Sequence, residues 1–161
     1  MKKRSLKRWK SLVWKLCSEY NRKKMATSDG VVRCVSCGGI MRWDEAQAGH
    51  IIDGRGNAIL FCDDAIFPQC VACNIFRNGN KVEYTLWFLK KFGQEKLDEL
   101  RILAKQPVKR KEADYEVLIE EYKQKITKLS AGEKTVPSRT PLGMPALASR
   151  ACAYKITKGD V

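Results

Sequence analysis

The chain has 161 residues, room for one compact domain with helical additions, and its 44% hydrophobic and 30% charged residues suit a globular protein with a core. Thirty-one Lys and Arg against eighteen Asp and Glu leave a net charge of +13, which calls for a polyanionic partner and sets nucleic acid ahead of an anionic membrane surface. No apolar run approaches a membrane span and the basic N-terminus lacks a signal-peptide core, so a cytoplasmic protein without a membrane partner is expected, its seven cysteines being thiols or metal ligands.

In chain order, residues 1–24 predict a basic amphipathic helix. Leu6, Trp9, Val13, Leu16 and Tyr20 recur at spacings of three and four and form one apolar stripe, with Lys2, Lys3, Arg4, Lys7, Arg8, Lys10 and Lys15 around it. The stripe docks the helix; the basic flanks either meet water or contact phosphates. "MATSDG" reads as a loop. Residues 30–92 then hold a cysteine-rich core with strand-like runs at Val31–Val32 and Ala58–Cys62. Between "HII" and "AILF", the Gly/Asn-rich "DGRGN" is expected to turn a hairpin. After Cys70, "VACNIFRNGN" is placed to begin a helix, with a turn at Gly79–Asn80.

Residues 93–130 are expected to supply helices for packing or dimerisation. "KVEYTLWFLKKF" stops at Gly93, and "QEKLDELRILAKQ" stops before Pro107. "KEADYEVLIEEYKQKITKL" carries Tyr115, Leu118, Ile119, Tyr122, Ile126 and Leu129 on one face, a pattern that serves an intramolecular core or a homodimer equally well. Residues 131–161 lose periodicity and gain Gly, Pro, Ser and Thr, the composition of a flexible tail.

The strongest chemical signal is the pair of motifs Cys34-x-x-Cys37 and Cys70-x-x-Cys73. Each pair forms a tight turn whose thiolates converge, and two such turns complete a tetrahedron around zinc. Four thiolates leave no open coordination position, so this Zn²⁺ is structural, and its ligation contributes on the order of 10–16 kcal/mol apparent to folding. Cys62 ends an apolar run and reads as core; Cys17 and Cys152 have no partner at ligand spacing.

Thirty-two residues separate Cys37 from Cys70, and they contain His50, the one histidine of the chain. The order C-x-x-C, "AGH", "QCVACN" and "GN" resembles the HNH, or ββα-metal, nucleases. More narrowly, "CVSCGG…AGHI…FPQCVACN…GNKVEY…FGQEKLDEL" is similar to the NinG/Rap family of lambdoid phage recombination proteins over about residues 30–100. Two Cys pairs enclosing a His, with Asn directly after the last Cys, also resemble phage endonuclease VII, a resolvase of branched DNA.

The resemblance implies an α+β fold with a small zinc-stabilised ββα-metal, HNH or treble-clef-like, core flanked by amphipathic helices. It implies a nuclease in which His50 is the general base that activates water and Asn74 helps hold Mg²⁺ or Mn²⁺. The chain departs from the family pattern at Gly49 and Gln47, where an Asp is usual, at Ala65, where an Asn is usual, and at Phe76 and Arg77, near which a His is often found. A hard cation prefers a carboxylate, which leaves Asp53, Asp44 or Glu45, with Asp53 chosen for its place three residues after His50. Arg55, Arg77 and Lys81 flank this segment as phosphate contacts, each with a solvated surface charge as its alternative.

The expectation is therefore a divalent-metal-dependent DNA endonuclease acting on branched recombination intermediates, Holliday junctions and D-loops. A homodimer through the C-terminal helices would supply two symmetric cuts, and recombination proteins are its expected company. Two other readings stay open: a non-catalytic zinc-dependent DNA-binding recombination accessory protein, and a protein–protein adaptor built on the zinc knuckle and the amphipathic helices.

Overall fold

The computed structural model describes residues 5–54 and 56–132. Helix α1 (Leu6–Lys23) begins where Ser5, in extended conformation, accepts the Arg8 N–H through its hydroxyl at 3.4 Å. Strands β1 (Val31–Arg33) and β2 (Ile40–Arg42) pair antiparallel, with the first Cys pair in the turn between them. Strands β3 (Gln47–His50) and β4 (Ile66–Gln69) form a second antiparallel pair, in which Gly49 lies opposite Phe67 and His50 opposite Ile66. A 3₁₀ turn (Asp63–Ala65) precedes β4 and a π-helical turn (Ala72–Phe76) follows it. Helices α2 (Lys81–Ala104) and α3 (Glu112–Ser130) complete the described chain.

The β3–β4 pair is covered on both faces. Successive strand residues point to opposite sides, and Ile66 and Phe67 accordingly enter different cores. Phe67 joins Ile51, Ile59, Tyr84, Phe88, Leu97 and Leu100, under α2. Ile66 joins Val13, Cys17, Tyr20, Phe61, Tyr115, Leu118 and Tyr122, between α1 and α3. Cross-strand partners share a face, so His50, opposite Ile66, belongs to the α1 side and Gly49 to the α2 side.

The sequence-based hairpin has moved. Ala58–Cys62 is a series of turns and not a strand, and "DGRGN" lies within a long loop joining β3 to β4. The reason is burial without alternation: all five residues are buried, Ile59 and Cys62 facing one core while Leu60 and Phe61 face the other. A strand with one solvated face has no use for such a run; a turn wedged between two cores does.

Other expectations are refined. The α1 stripe uses Val13, Cys17 and Tyr20, while Leu6 stays exposed. Gly93 breaks α2 as expected, at φ 84° and ψ 171°, a conformation that L side chains rarely adopt. The apolar face of α3, open to either packing or a dimer, is covered within the chain by α1.

A buried polar knot ties these helices to the loop. Asp63 accepts from Asn21 Nδ2 at 3.0 Å and from the Tyr122 hydroxyl at 2.8 Å through Oδ1, and pairs with Lys125 Nζ at 2.6 Å through Oδ2. The Tyr122 hydroxyl also lies 2.7 Å from the Phe61 carbonyl. The tail beyond Gly132 and residue Arg55 lie outside the described residues.

Candidate metal centre and the His50 site

The sulfur atoms of Cys34, Cys37, Cys70 and Cys73 all lie within 4.8 Å of one another, and Cys37 and Cys70 are 3.8 Å apart. A tetrahedron with Zn–S bonds of about 2.3 Å has edges of about 3.8 Å, so the four thiols suit zinc with a modest contraction of the wider sulfur pairs. The first pair is presented by the β1–β2 turn, and the second follows β4 into the π-helical turn. The Val35 N–H donates to the Pro68 carbonyl at 3.0 Å, stitching the first turn to β4.

The surroundings favour the thiolate at Cys34, whereas burial pushes Cys73 up to about 12 and Cys37 is raised as well. Burial opposes ionisation of Cys34, but backbone hydrogen bonds from Cys70, Cys37 and Ser36 outweigh it and bring the pKa down to about 7. Asn80 Nδ2 lies 3.6 Å from the Cys73 sulfur, the kind of contact that orients a metal ligand from outside the coordination sphere. Asn80 reaches it from a reversal in which Asn78, Gly79 and Asn80 all have positive φ. Cys17 is the opposite case: burial foremost, with Asp63 adding to it, pushes its thiol up to about 12. It is a core residue, inert at neutral pH.

His50 ends β3 and is only 8% exposed. Its Nε2 lies 3.1 Å from the Leu60 carbonyl oxygen. A carbonyl only accepts, so in the neutral ring the proton sits on Nε2 and the basic lone pair on Nδ1. The imidazole stacks on the Trp14 indole of α1, ring centroids 5.1 Å apart and planes 17° from parallel. Lys81 Nζ donates to the His50 carbonyl at 2.8 Å, and the Tyr84 hydroxyl donates to the Gly49 carbonyl at 2.9 Å.

Asp53 and Lys81 are brought together, with Nζ and Oδ1 2.7 Å apart. The Asp53 side chain is 82% exposed, which keeps such a pair weak. Both line an open depression of about 260 Å³ with Ile51, Ile52, Thr85, Leu97 and Arg101. Asn74 sits half-buried in the π-helical turn beside Cys73, and Arg77 caps the end of that turn, exposed. Asp44 and Glu45 instead hold Arg42, in the loop before β3. Among the described residues, the four cysteines are the one group of three or more His, Cys, Asp or Glu that converges for a metal.

Two departures from the family pattern acquire physical causes. A side chain at Gly49 would force Gln69 out of place, because a Cβ there would lie 2.0 Å from Gln69 Oε1. Gln69 is fully buried, its Nε2 donating to Ser36 Oγ and to the Gly79 carbonyl, both at 2.6 Å. Ala65 is likewise fully buried in the core beneath α2, where an Asn would need polar partners. Sequence reasoning missed Gln69, Asn80, Leu60 and Trp14. Gln69 directly precedes Cys70 and Asn80 follows the second motif at a distance, but nothing in their spacing marks the contacts they make.

A small α+β protein, with a four-cysteine centre able to hold a structural metal such as zinc fused to a helix-flanked strand pair, is the class this architecture defines. The family model described as bacteriophage lambda NinG protein matches residues 1–133, and the chain belongs to the NinG family of lambdoid phage proteins. It is 36% identical over 70 residues to protein ninG of Escherichia phage 933W, and equally to that of Escherichia phage lambda. Identity to protein ninG of Salmonella phage P22 is 33% over 70 residues. The match covers 42% of this chain and 33% of each relative, so it spans about a third of their length. No solved structure matches. No helix among the described residues is long and apolar enough to cross a membrane.

Proposed function

We propose that this chain is a divalent-metal-dependent DNA endonuclease of the HNH type, acting on branched recombination intermediates such as Holliday junctions and D-loops. The observation that carries the reading is the Leu60 carbonyl 3.1 Å from His50 Nε2. It fixes the tautomer that a general base requires, at the end of a strand whose antiparallel partner runs directly into the turn bearing Asn74. The net charge of +13 supplies the attraction to a polyanion.

In this mechanism His50 Nδ1 removes a proton from water as its oxygen attacks phosphorus, and the bond to the 3′ oxygen breaks. Positioned base catalysis contributes roughly 10²–10⁴-fold. A Mg²⁺ or Mn²⁺ ion held by Asn74 and Asp53, with substrate oxygens filling its shell, would stabilise charge on the phosphate and the leaving oxygen. The exposed Asp53–Lys81 pair is suited to division on substrate binding, carboxylate to cation and ammonium to phosphate. Arg77 and Arg55 are further phosphate contacts. A homodimer and contact with other recombination proteins belong to the same proposal.

A second reading is a non-catalytic zinc-dependent DNA-binding accessory protein. It is favoured by Gln69, which occupies the space an Asp at position 49 would need. Cleavage of a labelled four-way junction and a linear duplex, in Mg²⁺ or Mn²⁺ and in EDTA, separates the two. Metal-dependent cutting that His50→Ala abolishes at matched binding establishes the nuclease. Tight binding without cutting in either metal leaves the accessory protein.

A further inference from the structure

We infer that Trp14, on α1, is a positioning residue for His50, its indole face and the Leu60 carbonyl together holding the imidazole in the orientation a base needs. The inference rests on the reading of His50 as base. The hydrogen bond at Nε2 fixes one point of the ring, and rotation of the ring plane is a separate freedom. A stacked face removes that freedom, and the 5.1 Å, 17° contact with Trp14 is such a face.

The backbone of His50 is pinned independently from α2. Its carbonyl accepts from Lys81 Nζ at 2.8 Å, and the preceding Gly49 carbonyl accepts from the Tyr84 hydroxyl at 2.9 Å. Main chain and ring are thus held by different helices. Trp14 is only partly buried, and the Lys10 ammonium, one turn earlier, lies 3.1 Å from Asn57 Oδ1 in the β3–β4 loop. This face of α1 therefore borders the site at two levels, and the N-terminal helix forms one of its walls.

The contact also suits the charge change in the reaction. When Nδ1 takes the proton from water, the ring becomes an imidazolium, with Nε2–H still directed at the Leu60 carbonyl. An indole face attracts a cation, so the same side chain that orients the neutral base stabilises its conjugate acid.

His50 is the one histidine of the chain, so its ring nitrogens give a unique NMR signature. The test uses the full zinc-loaded chain, with Trp14→Leu to remove the face and Trp14→Phe to keep a smaller one. Imidazole ¹⁵N shifts report the tautomer, and junction cleavage reports kcat and KM. Wild type is expected to hold the Nε2–H form. Trp14→Leu should show mixed tautomers and a kcat lower by roughly 10–100-fold at little-changed KM, the size of a misplaced catalytic group. Trp14→Phe should recover the tautomer and most of kcat.

A Trp14→Leu protein with one tautomer and unchanged kcat overturns the inference. If the Leu variant does not fold, Trp14→Phe decides: a kcat several-fold lower at constant KM supports positioning, and an unchanged kcat overturns it. If wild type cuts no DNA, the nuclease reading fails by itself. The tautomer arm then judges Trp14 alone, mixed forms in the Leu or Phe variant supporting it and a single form overturning it.

Discussion

Replacing Gly49 with Ala adds one methyl group, and the structure predicts a cost far above that of an ordinary surface substitution. The new Cβ would stand 2.0 Å from Gln69 Oε1, 2.8 Å from its Cδ and 3.1 Å from its Cγ. Gln69 has no solvent to retreat into and holds Ser36 Oγ and the Gly79 carbonyl, so relieving the clash breaks two buried hydrogen bonds. Leaving buried polar groups unsatisfied costs about 1–3 kcal/mol each, which places Gly49→Ala at roughly 2–6 kcal/mol. Urea unfolding of the zinc-saturated protein, with an unchanged m-value, measures it. In a double-mutant cycle, Gly49→Ala added to Gln69→Ala should cost little more than Gln69→Ala alone, because the clashing atoms have gone. A Gly49→Ala protein within about 0.5 kcal/mol of wild type, the range of an innocuous surface change, would refute the reasoning.

The other predictions concern the metal and the polar knot. Stripping the metal with a strong chelator should collapse the cooperative thermal transition and expose Cys34, Cys37, Cys70 and Cys73 to alkylation, read by peptide mass spectrometry. Cys17, with its thiol pushed up to about 12, should stay unmodified until global unfolding. Asp63→Asn strands the Lys125 charge and should destabilise by about 3–5 kcal/mol, whereas Tyr122→Phe, which removes only a hydroxyl, should cost about 1–3 kcal/mol in the same denaturant assay. Burial works against the Lys125 ammonium, but Asp63 outweighs it and raises the pKa above the ordinary 10.5. The stabilisation from this pair is therefore complete below pH 10.5 and lost as pH rises through the raised value, a step in alkaline unfolding that Asp63→Asn should shrink.

Much of the metal centre was legible because ligand spacing is a covalent property: two Cys-x-x-Cys turns present their thiols wherever the chain places them. The helices were legible by periodicity, and Gly93 by its backbone freedom. The β3–β4 pairing was not. Gln47–His50 is short, its Ala and Gly give no strand signal, and its register depends on Phe67, Ile66 and Gln69, some twenty residues away. The apolar run Ala58–Cys62 mimicked a strand because buried residues on two sides of a turn look the same in sequence as residues in a buried strand. The surroundings of His50 were beyond reach for a related reason: Leu60 contributes a backbone carbonyl, which no side-chain pattern records, and Trp14 arrives from another helix.

That last arrangement has a bearing on when the surroundings of His50 come together. Trp14 leaves the ribosome before His50, but the helix bearing it is seated by Tyr115, Leu118 and Tyr122, which emerge long after His50 and the second cysteine pair. A nascent chain stalled near residue 105 would hold every ligand for zinc and the histidine itself, yet lack the brace that seats α1 against β3 and β4. Order of synthesis thus separates metal capture from assembly of the His50 site, so that a truncated product retains the metal knuckle without the seated indole.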